Sequence, residues 1–480
     1  MKKIGIFIGS EQKGFLTALA YQFEKMHNSK TTIFARDKYV VNVANKILPS
    51  DYEVEIVDCS NLSIKVDTDL VFKEAKRIEK MYGIKLSILL SDDRALGQGY
   101  LSNVQKIPDI KRAHWSHRKK IEIFVNDFLQ KENMLNKLDI VIQMFPNKIV
   151  TAICKKHNIH FLSFTSIKFG DRMFWSDNDF LSGSLYVERL KKYLYDSKDK
   201  SIVEYHIDKD GDNFNKSAKY SYNVAIKSAI EIIINDSKKF IRRNNKKDSY
   251  HYLGWVPSVF RRISNYNYVK SKSVVLNDLT SYKIVFFTLH LEPEVALQYF
   301  SPEFSNSMEA ITWISKSLPV NYILVVKEQV ASYGVRSRWY YRQLIKIPNV
   351  VLSHPDVHSW DWIEASSMIG TITGTVGQEA IHFEKPVLSF GKHQVINYLP
   401  TVYYVSNYFE TNAAIEEIIN KPPTKALYKK SRIAFSNAQV DSSIDMPKYK
   451  STFRLTKLET KMASEAIKHL FSEYPGSLIE

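Results

Sequence analysis

TITGTVGQEAIHFEKPVLSFG, residues 371 to 391, decides how the rest of the chain is read. A short β-branched apolar run, Ile369 to Thr373, leads into it and a second, Val387 to Phe390, closes it, and runs of this composition are strand-like. Between them Gly374 and Gly377 bracket a turn where backbone can approach a ligand with no Cβ in the way. Thr375 is placed to cap the helix that follows, whose N-terminal N–H groups and dipole would then face an anion such as a phosphate. Glu379 lies one turn further on, where a carboxylate accepts hydrogen bonds from ribose hydroxyls, and Lys385-Pro386 ends the helix before the next strand. An ordinary βαβ turn, with glycine for compactness and glutamate for solubility, has the same spacing, so the stretch alone leaves both readings open.

The same alternation continues on either side. Ile284 to Thr288, Tyr322 to Val326, Val350 to Leu352 and Val402 to Val405 read as further strands. Near the N-terminus Ile4 to Ile8, Thr31 to Phe34, Val54 to Val57, Leu86 to Leu90, Ile140 to Met144 and Phe161 to Phe164 read likewise, with helical periodicity in Phe15 to Met26 and Val71 to Tyr82. The sequence therefore predicts an α/β protein of two doubly wound, Rossmann-like domains with mostly parallel sheets. The domains fall at 1–181 and 283–425. Residues 182–282, rich in lysine and tyrosine and with a polar interruption at Asp208 to Asn215, read as a helical insertion or connector. Residues 426–480 form a tail whose helix, Leu458 to Phe471, is expected to pack back across the domains. Two such domains with a cleft between them make the GT-B arrangement, which glycosyltransferases and sugar-nucleotide epimerases share.

Composition narrows the classes. With 480 residues the chain exceeds what one core sustains, and 44% hydrophobic content with 16 Gly and 15 Pro argues for ordered globular structure. Cys59 and Cys154 are too few for a disulfide framework or a cysteine metal site and fit a reducing cytoplasm. The opening MKKIGIFIGS is too short an apolar run for a signal sequence and reads as the first core strand. A net charge of +16 suits nucleic acid, an anionic membrane face or acidic substrates, and lysine-rich composition also arises from genome bias. The densest basic cluster, Lys238 to Lys247, contains isolated rather than interleaved aromatics, a poor platform for base stacking. That favours a solvated or membrane-facing helix over a nucleic-acid partner, and a place in the cytoplasm or peripherally on the cytoplasmic face of the inner membrane.

Polar residues gather at the predicted strand ends. His290, Glu292 and Glu294 follow the strand ending in FFTL, where a histidine can donate to a phosphate or sugar hydroxyl. Lys327 and Glu328 follow Tyr322 to Val326, where a lysine can neutralise phosphate. His354-Pro355-Asp356 follows the next strand and reads equally as a turn. In the first domain Asp92 and Asp93, beside Arg94, are the acid/base candidates because they follow Leu86 to Leu90, although a helix cap explains them as well. Lys168, Asp171, Arg172, Asp177 and Asp179 mix charges with aromatics, which suits sugar binding. No serine elbow, Walker lysine motif, HExxH or zinc spacing is present, which weakens hydrolase, NTPase and zinc-enzyme readings.

Taken together, LHLEPE, VVKEQ, PNVVLSHP and TGTVGQEAIHFEKPVLSFG resemble the motifs of the bacterial capsule polysaccharide biosynthesis family, which includes the retaining β-Kdo transferases. The resemblance spans Ser281 to Tyr404, about a quarter of the chain, and extends more weakly to the Asp92–Arg94 and GDRMFWSDND segments. It implies a glycosyltransferase using a nucleotide-activated sugar, often a CMP-linked ulosonic acid such as Kdo, with a glycan or glycolipid acceptor. By the same resemblance Lys327, Glu328, Thr373, Gly374, Thr375, Gly377 and Glu379 would sit at the donor nucleotide, with His290 and Glu294 lining the cleft. Asp92 or Asp93 would act as base or nucleophile, and Arg94, Arg172 and Asp177 would meet the acceptor or sugar. The helix end and Lys327 would stabilise the leaving phosphate, so no metal or other cofactor is expected. Family members commonly read Lys-Glu-His-Pro where this chain reads Lys327-Glu328-Gln329-Val330. Epimerases and polyol-phosphate transferases of like fold are the nearest alternatives, and a basic polyanion-binding protein is the alternative of another class.

Overall fold

A computed structural model describes residues 1–9, 13–27, 29–49, 54–59, 66–92, 115–195, 221–241, 256–290, 297, 300–304, 307–329, 332–446 and 457–474. Its strands are β1 (Lys3–Ile8), β2 (Lys30–Ala35), β3 (Glu55–Asp58), β4 (Ile140–Gln143), β5 (His160–Ser166) and β6 (Arg172–Ser176), then β7 (Ser273–Val274), β8 (Lys283–Thr288), β9 (Tyr322–Lys327), β10 (Val350–Ser353), β11 (Ser366–Thr371), β12 (Val387–Ser389) and β13 (Val402–Tyr404), and last β14 (Ile444–Asp445). The chain is α/β and divides into two compact units. One comprises Met1–Leu89, His117–Val203 and Ala434–Glu480, the other Leu90–Ser116 and Glu204–Ile433. The expected connector is thus shared, with the helix Ser184–Tyr195 in the first unit and the helices Tyr222–Ile241 and Val256–Lys272 in the second.

The first unit has the sheet order β14-β6-β5-β4-β1-β2-β3. β1 pairs in parallel with β2 on one side and β4 on the other, and β6 turns back antiparallel on β5. Its core takes Phe15, Leu19 and Phe23 from the first helix and Met462, Ala466 and Leu470 from the tail helix Lys457–Glu473. The tail is fastened there by Trp175 Nε1, which donates to the Ala466 carbonyl at 2.8 Å, and by the Arg189–Glu473 ion pair at 2.5 Å.

One predicted strand is corrected. Leu86 to Leu90 lies in a helix, Leu86–Asp92, with Leu86 and Leu89 buried while Ile88 is exposed. Burial every third residue is a helical period, and an unbroken apolar run hides it because it satisfies either template. Gly83 ends the preceding helix in the left-handed conformation, and the Leu86 N–H is taken by the Glu79 carboxylate, so the chain restarts as helix at once.

The second unit has the order β13-β12-β11-β8-β9-β10-β7, every pairing parallel. Its central strands are buried on both faces, which is why they read as continuous apolar runs such as KIVFFT and YILVVK. β8 lies at the centre; the chain moves outward through β9 and β10, then crosses back to place β11 on β8's other flank. The carboxyl ends of β8 and β11 therefore flank a topological switch point, the crevice where doubly wound sheets take ligands.

A candidate ligand site at the second unit's switch point

Two backbone segments leave the sheet side by side at this crevice and are tied across it. His290, two residues past β8, is 5% exposed, and its Nε2 accepts from the Thr373 N–H beyond β11 at 3.3 Å. An imidazole nitrogen that accepts from a peptide N–H is unprotonated, which puts the ring proton on Nδ1. Burial, reinforced by the nearby Arg336 charge, pushes the His290 pKa down to about 4. Neutral His290 is therefore the native form at neutral pH.

The turn is held down on this pair. Thr371 Oγ1 accepts from the Gly374 N–H at 3.0 Å. A Cβ at Gly374 would sit 3.0 Å from Thr371 Oγ1 and 3.4 Å from His290 Cε1, so only glycine lets the turn lie this low without moving its neighbours. Gly377 serves packing instead: a Cβ there would meet Ile396 Cδ1 and Thr371 Cγ2 at 2.8 Å each, so the helix Val376–His382 rests directly on the sheet. The Gly377 N–H closes on the Gly374 carbonyl and the Glu379 N–H on the Thr375 carbonyl, whereas the Thr375 and Val376 N–H groups head the helix without such bonds among the described residues. Thr373 Oγ1 is buried and has no partner among the described residues. A buried hydroxyl left without a partner costs about 1–3 kcal/mol, so the site holds unmet hydrogen-bonding capacity.

Other expectations are revised. Thr375 occupies the N-cap position, but its exposed side chain makes no cap bond and instead meets Glu379. Glu379 Oε2 also accepts from Trp360 Nε1 at 3.0 Å, so two of its acceptor positions are engaged within the protein; burial pushes its pKa up and those two bonds pull it back. Lys327 does not reach toward the turn. It is 1% exposed, its Nζ donates to the Val357 carbonyl and, at 3.3 Å, to the Tyr333 hydroxyl, and burial lowers its pKa to about 7. Glu328 is not its partner either, because successive residues leaving a strand point to opposite sides. The Glu328 carboxylate takes Arg336 Nε at 2.8 Å, the Tyr341 hydroxyl at 2.7 Å and the Gln329 N–H at 3.0 Å. Arg336, which sequence reasoning missed, also donates to the His290 carbonyl and so anchors the histidine's loop. The one available signal was indirect: a glutamate expected at a buried strand end needs a cation, and its neighbour Lys327 faces away. Gln329, standing where the family commonly has histidine, is exposed. His354 makes a local turn, its Nδ1 accepting from the Asp356 N–H at 3.2 Å.

In the first unit, Arg172 opens β6 and donates to Ser443 Oγ and to the Val440 and Ser443 carbonyls, so three of its five N–H donors are engaged within the fold. Asp177 Oδ1 accepts from the Ser184 N–H at 2.7 Å, at the start of the helix Ser184–Tyr195. Asp92 ends a helix instead of following a strand. Asp93, Arg94 and Glu294 lie outside the described residues.

The histidine gives a pH prediction. A base whose pKa falls from 6.5 in the open chain to about 4 in the fold contributes stability that is complete above 6.5 and is lost as pH drops from there through 4. A tenfold change in proton affinity corresponds to about 1.4 kcal/mol, so acidification from pH 7 to 4 is expected to remove on the order of 3 kcal/mol through His290. His382, also held at about 4 by burial, acts in the same window. His290→Gln, whose amide oxygen can accept from Thr373, is expected to flatten the acid limb of urea midpoint against pH by roughly half. An unchanged limb would mean that His290 is not buried neutral.

No protein-family model matches the chain, and no curated protein matches it. Solved structures with some similarity include the S. aureus MnaA–UDP co-structure, at 14% identity and TM-score 0.29 over 98% of this chain and 96% of that one. UDP-GlcNAc 2-epimerase from Neisseria meningitidis bound to UDP-GlcNAc stands at 11% identity and TM-score 0.25, over 98% of this chain and 100% of that one. The KpsC beta Kdo 2,7 transferase of Thermosulfurimonas dismutans stands at 14% identity and TM-score 0.32, over 72% of this chain and 89% of that one.

Proposed function

We propose that the β8–β11 crevice binds the phosphate of a nucleotide-activated sugar, and that the chain is a glycosyltransferase of bacterial surface-polysaccharide assembly. The observation that carries this reading is the His290 Nε2 to Thr373 N–H bond spanning the switch point. It holds the Gly374 turn against the sheet, leaving the Thr373 hydroxyl and the Thr375 and Val376 N–H groups to meet an anion. A neutral histidine suits that arrangement, since its Nδ1 proton is a donor that costs no buried charge. The family resemblance of this same stretch supplies the donor class, a CMP-linked ulosonic acid.

The test is a thermal-shift series with CMP, CDP, UDP and GDP. A nucleotide at one hundred times its Kd stabilises the native state by about 2.7 kcal/mol. CMP is expected to raise the melting temperature most, and Gly374→Val, whose branched side chain would press on Thr371 and His290, to abolish the shift while keeping the fold. No shift with any of the four would remove the reading. Product analysis then separates transfer, which needs an acceptor, from epimerisation, which does not.

A further inference from the structure

The helix Tyr222–Ile241 is apolar on two sides. One side is accounted for: Ala225 and Ala229 are buried, and Ala225 with Ile232 packs on Val259 and Ile263 of the neighbouring helix Val256–Lys272. The other is not. Ile226, Ile230, Ile233 and Ile234 follow the spacing that puts residues on one helical face, and they are 48%, 51%, 45% and 45% exposed. Single exposed isoleucines are ordinary, but four in one stripe form a contiguous patch of the kind that marks an interaction site. Lys227 and Glu231 border the stripe, and the neighbouring helix exposes Phe260 and Arg261.

Charge selects the occupant. From residue 227 to 247 the sequence carries seven basic side chains against two acidic ones, within a molecule of net charge +16. A second copy docked through this face would bring together two molecules of net charge +16, a like-charge encounter that costs affinity. An anionic bilayer reverses the sign: the isoleucines enter the boundary between headgroups and acyl chains while the molecule's net positive charge is attracted to the phosphates. The geometry is that of a helix lying on a membrane, and no helix among the described residues is long and apolar enough to cross one.

We infer that the Ile226–Ile234 face docks this protein on an anionic lipid surface. The inference is independent of the sugar-nucleotide reading, because it uses neither the switch point nor any ligand there. Flotation of the full chain with phosphatidylcholine vesicles, with and without phosphatidylglycerol, tests it. Recovery with the anionic vesicles is expected to exceed that with the neutral ones at least roughly five-fold and to fall in high salt. Ile230→Glu with Ile233→Glu, both at exposed positions, should lower recovery roughly ten-fold with the unfolding midpoint unchanged. Three results would each overturn the inference: no flotation with anionic vesicles, flotation that the double variant retains in full, or a concentration-dependent dimer that the double variant abolishes, which would put a second copy on this face.

Discussion

Replacing Arg336 with leucine is expected to destabilise the second unit by about 3–5 kcal/mol. Arg336 and Glu328 are each 1% exposed at the side chain and paired at 2.8 Å. Removing the guanidinium would leave a buried carboxylate without its ion-pair cation, and the Tyr341 hydroxyl and Gln329 N–H that it keeps are neutral donors. The penalty comes from the orphaned partner and not from the net worth of the pair, so Glu328→Leu combined with Arg336→Leu is expected to be less damaging than the two single losses added together. Denaturant unfolding of the four proteins forms a double-mutant cycle with an expected coupling above about 1 kcal/mol. A single loss below that figure, or strict additivity, would show that the two charges are not buried against each other. The leucine variant also removes the Arg336 bond to the His290 carbonyl, so the nucleotide-induced shift should weaken even under conditions where the unit remains folded.

The parts of this molecule that were legible in sequence share a cause. The strands of the second unit stood out because they are buried on both faces, and burial writes itself as β-branched runs bounded by turn residues, as in β8, β9 and β11. The Gly374 turn was legible as a turn because two glycines fall between a β-branched run and a helical stretch. Pairings across long sequence separations were not legible. Thr373 and His290 are 83 residues apart, and Arg336 reaches His290 over 46, with no local pattern announcing either bond. Arg172 illustrates the same blindness in reverse. A basic residue amid aromatics looks like a sugar ligand until the tail, 271 residues later, supplies Ser443 to receive it. Sequence thus marked the turn after β11 and misjudged which of the nearby charges are engaged inside the protein, because a charge's availability depends on what the rest of the fold brings to it.

Gly334→Ala is expected to cost on the order of 4 kcal/mol, and the reason separates two uses of glycine. Gly334 has φ +72°, a conformation that costs a residue with a side chain about 1–2 kcal/mol. It also lies against the helix Val256–Lys272: an added Cβ would fall 2.1 Å from the Arg262 carbonyl oxygen and 2.9 Å from the Tyr266 nitrogen, both backbone atoms of a helix that cannot step aside. The turn is bonded to that helix at three points, with Arg262 Nε donating to the Tyr333 carbonyl at 2.8 Å and Asn265 Nδ2 to the Gly334 and Arg336 carbonyls at 3.2 and 2.8 Å. Pushing the turn away would break those bonds and drag Arg336 from Glu328 and His290, so damage at a remote helix contact should reach the switch point. Gly83 supplies the control within the same chain, because its φ is +66° but nothing lies within 4 Å of its would-be Cβ. Gly83→Ala should therefore show the conformational cost alone, about 1 kcal/mol. Equal losses for the two variants in denaturant unfolding would mean that backbone strain, and not the seating of the turn on the helix, is what demands glycine at 334. The expected threefold to fourfold excess at Gly334, together with a lost nucleotide shift in that variant only, would trace the path from that helix through Arg336 to His290.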